Sequence, residues 1–271
     1  MLKSFYETHS LADAGFPIIF HYDIMSMHTP FLAHWHENIE IIYCTDGEML
    51  INSDLEAYTV KKGEIAIINS GMVHTFISTN VTCGYYCLII DISLCDMYGI
   101  DISETKFNQV IKNEDSIKIF DEIVQELSER RVKYKTAVVA LCLKLLTEFC
   151  RYEIKEHIKN NFANLKAINM VKIAINYIKS NFENKITVSD ICTHTGYRKY
   201  HFCRTFHEIT GKTVVEYINL VRCLNAKKLL SSGANNVVES AFLSGFNNVS
   251  YFSKCYKLYM GKSPSKERTP D

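Results

Sequence analysis

The chain has no long apolar run. Stretches such as Ile65 to Ile68 and Cys87 to Ile90 are far too short to cross a bilayer as a helix. It also lacks the basic start and apolar block of a secretory signal, because the first ten residues read MLKSFYETHS. We therefore expect a cytoplasmic protein without a membrane partner. It lacks CxxC knuckles as well. The ten cysteines are scattered through apolar segments, and the closest pair, Cys83 and Cys87, is spaced CxxxC. This argues against a disulfide framework and for small buried thiols kept reduced.

Net charge is zero, but that average conceals a division. Residues 1–165 carry 14 Lys/Arg against 23 Asp/Glu, a balance of −9, and residues 166–271 carry 16 against 7, a balance of +9. A basic surplus confined to one half is the electrostatic footprint of a polyanion binder. With 271 residues, 47% of them apolar, the chain is long enough for two cores.

The first hundred residues read as short strands rich in Ile, Tyr, Phe and Val. They are cut by turn signals at Thr45-Asp46-Gly47, Asn52-Ser53-Asp54, Lys62-Gly63 and Asn69-Ser70-Gly71. Strands at this spacing indicate a barrel or sandwich. After Gly99 the period becomes helical: Ile117, Phe120, Ile123, Val124 and Leu127 mark one helix, and a second is expected over 135–159. In that second helix Ala137, Leu141, Leu145 and Phe149 form an apolar stripe that suits either a core or a dimer seam. The polar stretch 159–164 is the expected linker, and from Leu165 the chain reads as helices only. The fold class is thus α+β: a strand domain over 1–100, a helical dimerisation or linker region over 101–164, and an all-α domain over 165–271.

The all-α domain repeats itself. TGYRKYHFCRTFHEITG at 195–211 and SGFNNVSYFSKCYKLYMG at 244–261 each follow a short helix with a Gly-aromatic turn and a longer helix closed by glycine. Phe202 and Phe206, like Phe252 and Tyr256, stand four apart and should face the core. That leaves Arg198, Lys199, Tyr200, Cys203, Arg204 and His207 on the other face of the first unit. In the second unit it leaves Asn247, Asn248, Val249, Ser250, Ser253, Lys254 and Lys257. Basic and amide side chains on such a face suit base edges and flanking phosphates in a major groove. Arg198, Lys199, Lys227 and Lys257 are candidates for phosphates; Tyr200, Cys203, Arg204, Ser250, Ser253 and Lys254 are candidates for bases.

On these two units, residues 166–268 resemble the double helix-turn-helix domain of AraC/XylS-type transcription regulators. The likeness extends over FCRTFHEITGKTVVEYINLVRCLNAKKLL and VVESAFLSGFNNVSYFSKCYKLYMGKSPSKER. It implies that Tyr217 and Arg222 lie on a helix joining the units, that Gly245-Phe246 makes the second turn, and that Gly261 and Pro264 close the domain. It further implies readers entering successive major grooves roughly 34 Å apart, a homodimer, and, for an activator, contact with RNA polymerase.

Such regulators commonly carry a cupin-like effector barrel, and residues 15–90 resemble one. HWHENIE at 34–40 places His34, His36 and Glu40 at even positions, on one face if the stretch is a strand. The second motif runs from Gly63 to His74, with Asn69 where proline is usual. His34, His36, Glu40 and His74 thus occupy the four metal-holding positions of cupin enzymes. Three readings stand: a divalent metal site for Zn, Fe, Mn or Ni; an effector pocket for a polar molecule such as a sugar, lined also by Tyr22, Tyr43, Phe76 and Tyr86; or a polar core that pins the barrel. No catalytic residue is expected, since an enzyme has no need of a double DNA reader.

Overall fold

The computed structural model describes residues 15–26, 31–155, 162–233 and 235–267. By packing, they divide into two units. One comprises residues 15–26 and 35–155, and the other comprises 162–267 with the short segment 31–34. No helix among the described residues is long and apolar enough to cross a membrane.

The first unit is built from two antiparallel sheets. β1 (Ile18–Ser26), β7 (Thr82–Ile90), β2 (Ile39–Asp46), β5 (Ile65–Ile68) and β8 (Val110–Ile111) form one, in that order. β4 (Glu56–Lys61), β3 (Glu48–Ser53) and β6 (His74–Ser78) form the other. The predicted turns separate these strands, with Gly47 and Gly63 at positive φ. A short helix, α1 (Ile92–Met97), follows β7. It leads to α2 (Glu114–Glu129) and α3 (Tyr134–Tyr152), and α2 opens on an Asn113 cap with Glu114 and Asp115 in its first turn.

Strand alternation separates two interiors. Ile39 and Ile41 of β2, with Leu88 and Ile90 of β7, face one core together with Phe120 and Ile123 of α2 and Cys142, Leu145 and Phe149 of α3. Ile42, Cys44 and Cys87 face the opposite side, toward the smaller sheet. The α3 stripe is therefore core: Leu145 and Phe149 are fully buried, while Ala137 and Leu141 are half-buried beside them. The helical region expected over 101–164 is not a separate layer. α2 and α3 close the hydrophobic face of the five-stranded sheet, which would otherwise be left in water.

Three boundaries differ from the sequence reading. The second helix ends at Tyr152, not near 159. Residues 162–164 of the expected linker already belong to α4 (Phe162–Asn181), and 159–161 lie outside the described residues. HWHENIE is not one strand: residues 35–36 are irregular, 37–38 form a bend, and β2 starts at Ile39.

The second unit continues through α5 (Val188–Thr195), α6 (Lys199–Thr210), α7 (Val214–Ser231), α8 (Val237–Leu243) and α9 (Val249–Met260) to a 3-10 turn at Pro264–Lys266. Local chemistry sets these limits. Thr187 with Asp190, Thr213 with Glu216 and Asn236 with Glu239 form capping boxes that start α5, α7 and α8. Each box satisfies helical amides that would otherwise lack partners. Phe202, Phe206, Phe252 and Tyr256 are buried, as their spacing predicts. In the same unit the Tyr217 hydroxyl donates to the Ala33 carbonyl at 2.7 Å.

Arg222 of α7 clamps this unit. Its Nε donates to the Phe182 carbonyl and its Nη2 to the Asn184 carbonyl, both at 2.9 Å, and its guanidinium lies 5.8 Å from the Phe246 ring centroid. Arg222→Ala should cost about 2–4 kcal/mol in urea unfolding, since two carbonyls lose charged donors. Arg222→Lys should recover only part, because an ammonium cannot reproduce the planar fork.

Candidate functional site

The four residues singled out by the cupin motifs do meet. One potential ligand atom from each of His34, His36, Glu40 and His74 lies within 4.8 Å of the others, and all four residues are buried. Only Glu40 reaches the site from β2. His36 arrives from the irregular stretch before it, held by turn chemistry in the second motif: Gly71 N–H donates to the His36 carbonyl at 2.9 Å and Ser70 Oγ to the Glu37 carbonyl at 2.7 Å. Asn69 makes a reciprocal pair with the backbone of Phe107, at 2.8 and 3.1 Å. Proline in that place would supply neither bond. The loop so anchored delivers His74 at the start of β6.

The imidazoles share one orientation device. Nδ1 of His34, His36 and His74 lies 3.1, 3.0 and 2.9 Å from the carbonyls of Leu32, Asn38 and Met72. A carbonyl only accepts, so each Nδ1 carries the hydrogen and each neutral ring keeps its lone pair on Nε2. Nε2 of His36 and Nε2 of His74 both stand 3.1 Å from Glu40 Oε2. Burial pushes the Glu40 carboxyl up, but Nε2–H donors and positive charge, which His36 and His74 supply in their protonated form, overcome it and hold the group well below the usual carboxylate range. Two ring lone pairs aimed at a carboxylate repel unless positive charge, a proton or a metal ion, lies among them. Three imidazoles and a carboxylate, with Nδ1 tied to backbone acceptors, are a donor set that fits Zn, Fe, Mn or Ni.

The predicted aromatic lining is only partly present. Phe76 is beside the cluster, its ring 5.5 Å from that of His74. Tyr22, Tyr43 and Tyr86 are not. They form one row across β1, β7 and β2, on the sheet face opposite to Glu40. Tyr43 packs on Phe120 of α2 at 5.2 Å and Tyr86 stacks on Phe20 at 5.3 Å. The reason is parity: Glu40 and Tyr43 are an odd number of residues apart on one strand. The sequence reading also missed Cys87, whose Sγ donates to Glu40 Oε1 at 3.2 Å. Its membership depends on the β2–β7 register, for which no local motif exists.

In the second unit the proposed readers are placed as follows. Arg198, Lys199, Tyr200, Arg204 and His207 are exposed along the start and outer face of α6, and Cys203 is half-buried. Asn247, Asn248, Ser250, Lys254 and Lys257 are exposed at the start and along α9, with Val249 and Ser253 half-buried. Asn248 also caps α9 through Tyr251 N–H at 2.8 Å, so that side chain is already engaged. Glu208, not foreseen as part of this face, accepts from Arg204 Nε at 2.8 Å.

Comparison with known proteins addresses both units. The family model for the AraC-like ligand binding domain matches residues 17–146, and that for a helix-turn-helix domain matches 191–269. The HTH-type transcriptional regulator YdeC of Bacillus subtilis is 25% identical over 251 residues, spanning 85% of this chain and 84% of YdeC. The HTH-type transcriptional activator AarP of Providencia stuartii is 36% identical over 95 residues, or 35% of this chain and 70% of AarP. Among solved structures, ToxT from Vibrio cholerae superposes with a TM-score of 0.48 at 16% identity, over 94% of this chain and all of that one. With a sheet domain matching the ligand-binding model and two helix-turn-helix units matching the DNA-binding one, the chain belongs to the AraC family of transcription regulators.

Proposed function

We propose that this regulator is metal-responsive: a divalent transition metal held by His34, His36, Glu40 and His74 is the effector that sets its affinity for DNA. The observation that carries the reading is the convergence of Nε2 of His36 and His74 on an ionised carboxylate, with every Nδ1 tied to a backbone acceptor. The displaced tyrosine row weakens the case for a sugar at the same place. The bound metal would supply positive charge that draws the four side chains into one coordination shell. The residues of the chain do the remainder: Leu32, Asn38 and Met72 carbonyls hold the rings in register, and Cys87 occupies the other oxygen of Glu40. Control of DNA binding then requires that the effector bind more tightly to one of two conformations than to the other. The regulator acts in the cytoplasm as a homodimer and activates transcription with RNA polymerase, a role supported by the likeness to the activator AarP.

Metal content of untagged protein, measured by mass spectrometry after reconstitution with Zn, Fe, Mn and Ni, tests the reading. Near-stoichiometric metal that disappears in a His34→Ala/His36→Ala double variant is the expected result. No retained metal would overturn it and turn the search toward organic effectors, sugars first.

Arg198, Lys199 and Lys257 are assigned to phosphates, and Tyr200, Arg204, Ser250 and Lys254 to base edges. Selection from random duplexes should show that Arg204→Ala relaxes preference at one position, costing about 1–3 kcal/mol there. Lys199→Ala should instead weaken all sequences alike and reduce the salt slope by about 1. Equal loss of base preference in both variants would contradict this division.

A further inference from the structure

Cys44 and Cys83 stand apart from the other eight cysteines of the chain. Their sulfurs are 3.7 Å apart, on neighbouring strands β2 and β7, and both are free thiols inside the first unit. The pair sits where the ladder is irregular: the β2–β7 register slips between Cys44 and Asp46. The turn that follows brings backbones unusually close, since a Cβ on Gly47 would lie 2.6 Å from the Thr82 carbonyl oxygen and 3.3 Å from Cys83 Cα. Cys44 Sγ lies 3.6 Å from the carbonyls of both Asp46 and Gly47, and Asp46 is exposed. Both cysteines are fully buried, at 0% exposure, so a small oxidant reaches the sulfurs when the ends of β2 and β7 open locally to solvent. Their contact also separates their acidities. The bond to Cys83 lowers the Cys44 thiol against burial, whereas the bond to Cys44 and burial together raise Cys83. The more acidic partner is the better attacking group.

We infer that Cys44 and Cys83 are a redox pair, closed to a disulfide by a hydroperoxide. Cys44, after losing its proton to solvent, attacks the outer peroxide oxygen. The O–O bond breaks, Cys44 becomes a sulfenic acid, and the departing oxygen takes up a proton as water or an alcohol. The Cys83 sulfur then attacks the Cys44 sulfur. The S–O bond breaks, and hydroxide leaves with the Cys83 proton as water. Two thiols lose two electrons and two protons, and one peroxide is reduced. Closure requires the sulfurs to move from 3.7 Å to about 2.05 Å, the length of a disulfide. Cys44 is paired with Tyr85, not Cys83, so closure needs backbone movement at the bulge as well as side-chain rotation. The step uses no residue of the histidine cluster, so it is independent of the metal reading.

The test is peptide mapping of the full-length protein treated with hydrogen peroxide in the presence of a metal chelator, with thiols counted after denaturation. The expected result is a loss of two thiols from the ten, one cross-linked peptide joining Cys44 to Cys83, and recovery with dithiothreitol. Cys44→Ser should abolish the cross-link, and Cys142→Ser should leave it intact. An unchanged thiol count, a cross-link between other cysteines, or oxygen addition without a cross-link would each overturn the inference. The wild-type map decides the matter even if a variant fails to fold.

Discussion

Gly245→Ala should lower the unfolding free energy of the helix-turn-helix unit by about 2–5 kcal/mol, the largest effect expected of any single methyl group in that unit. Gly245 has φ +84, and a Cβ there would lie 2.3 Å from the Phe182 carbonyl oxygen and 3.0 Å from both Glu183 Cα and Arg222 Nε. The left-handed conformation alone costs a non-glycine residue about 1–2 kcal/mol. The rest comes from collision with backbone, which cannot rotate away as a side chain can. Worse, the carbonyl that is struck is the acceptor for Arg222 Nε, so relief of the clash loosens the clamp. Gly211 is the control. Its φ is +68, but nothing lies within 4 Å of a Cβ built there, so Gly211→Ala should cost only the conformational part. Thermal unfolding monitored by helix signal separates them. Equal losses in the two variants would mean that the Phe182 contact is relieved at no cost.

Removal of Glu40 should have a comparable effect in the first unit. Glu40→Ala leaves two buried imidazoles facing no carboxylate, and such an unpaired buried partner typically costs about 3–5 kcal/mol. Glu40→Gln should be much milder for stability, because its amide can donate an N–H to an Nε2 lone pair. Both variants remove the anionic ligand and should lower metal affinity together. The pair thus distinguishes the structural contribution of Glu40 from its contribution to coordination. The pH dependence has a definite sign. The folded-state value of Glu40 is depressed below its ordinary 4.5, so its stabilisation is present above that pH and is lost as pH falls through the folded value. Urea midpoints measured with decreasing pH below 4.5 should therefore fall in the wild type, and Glu40→Gln should lack that component. Parallel curves for the two proteins would rule out a stabilising ionised Glu40.

The helix-turn-helix half was legible because its determinants are local. The caps Thr187 and Thr213 stand three residues before their acidic partners, and the aromatics Phe202 and Phe206 recur at the helical period. Such signals act within one or two turns and require no knowledge of the remaining chain. Spacing alone did not reveal the ties of Arg222 to the carbonyls of Phe182 and Asn184, which are some forty residues away.

For the histidine cluster the sequence determined which residues are chemically able to form it, and tertiary structure decided how they meet. His34, His36, Glu40 and His74 were recognisable by type and motif. The strand condition holds for Glu40 and not for His34 and His36, and it is the Asn69–Phe107 pairing and the Gly71–His36 bond that bring the loop to them. Side chains on a strand alternate, so the face of Tyr43 relative to Glu40 was written in their odd separation. The faces of Tyr22 and Tyr86, the proximity of Cys87 to Glu40 and the contact of Cys44 with Cys83 were not. Each depends on the register of β7 against its neighbours, and register is set by the fit of whole sheet faces to their cores rather than by any short stretch of residues.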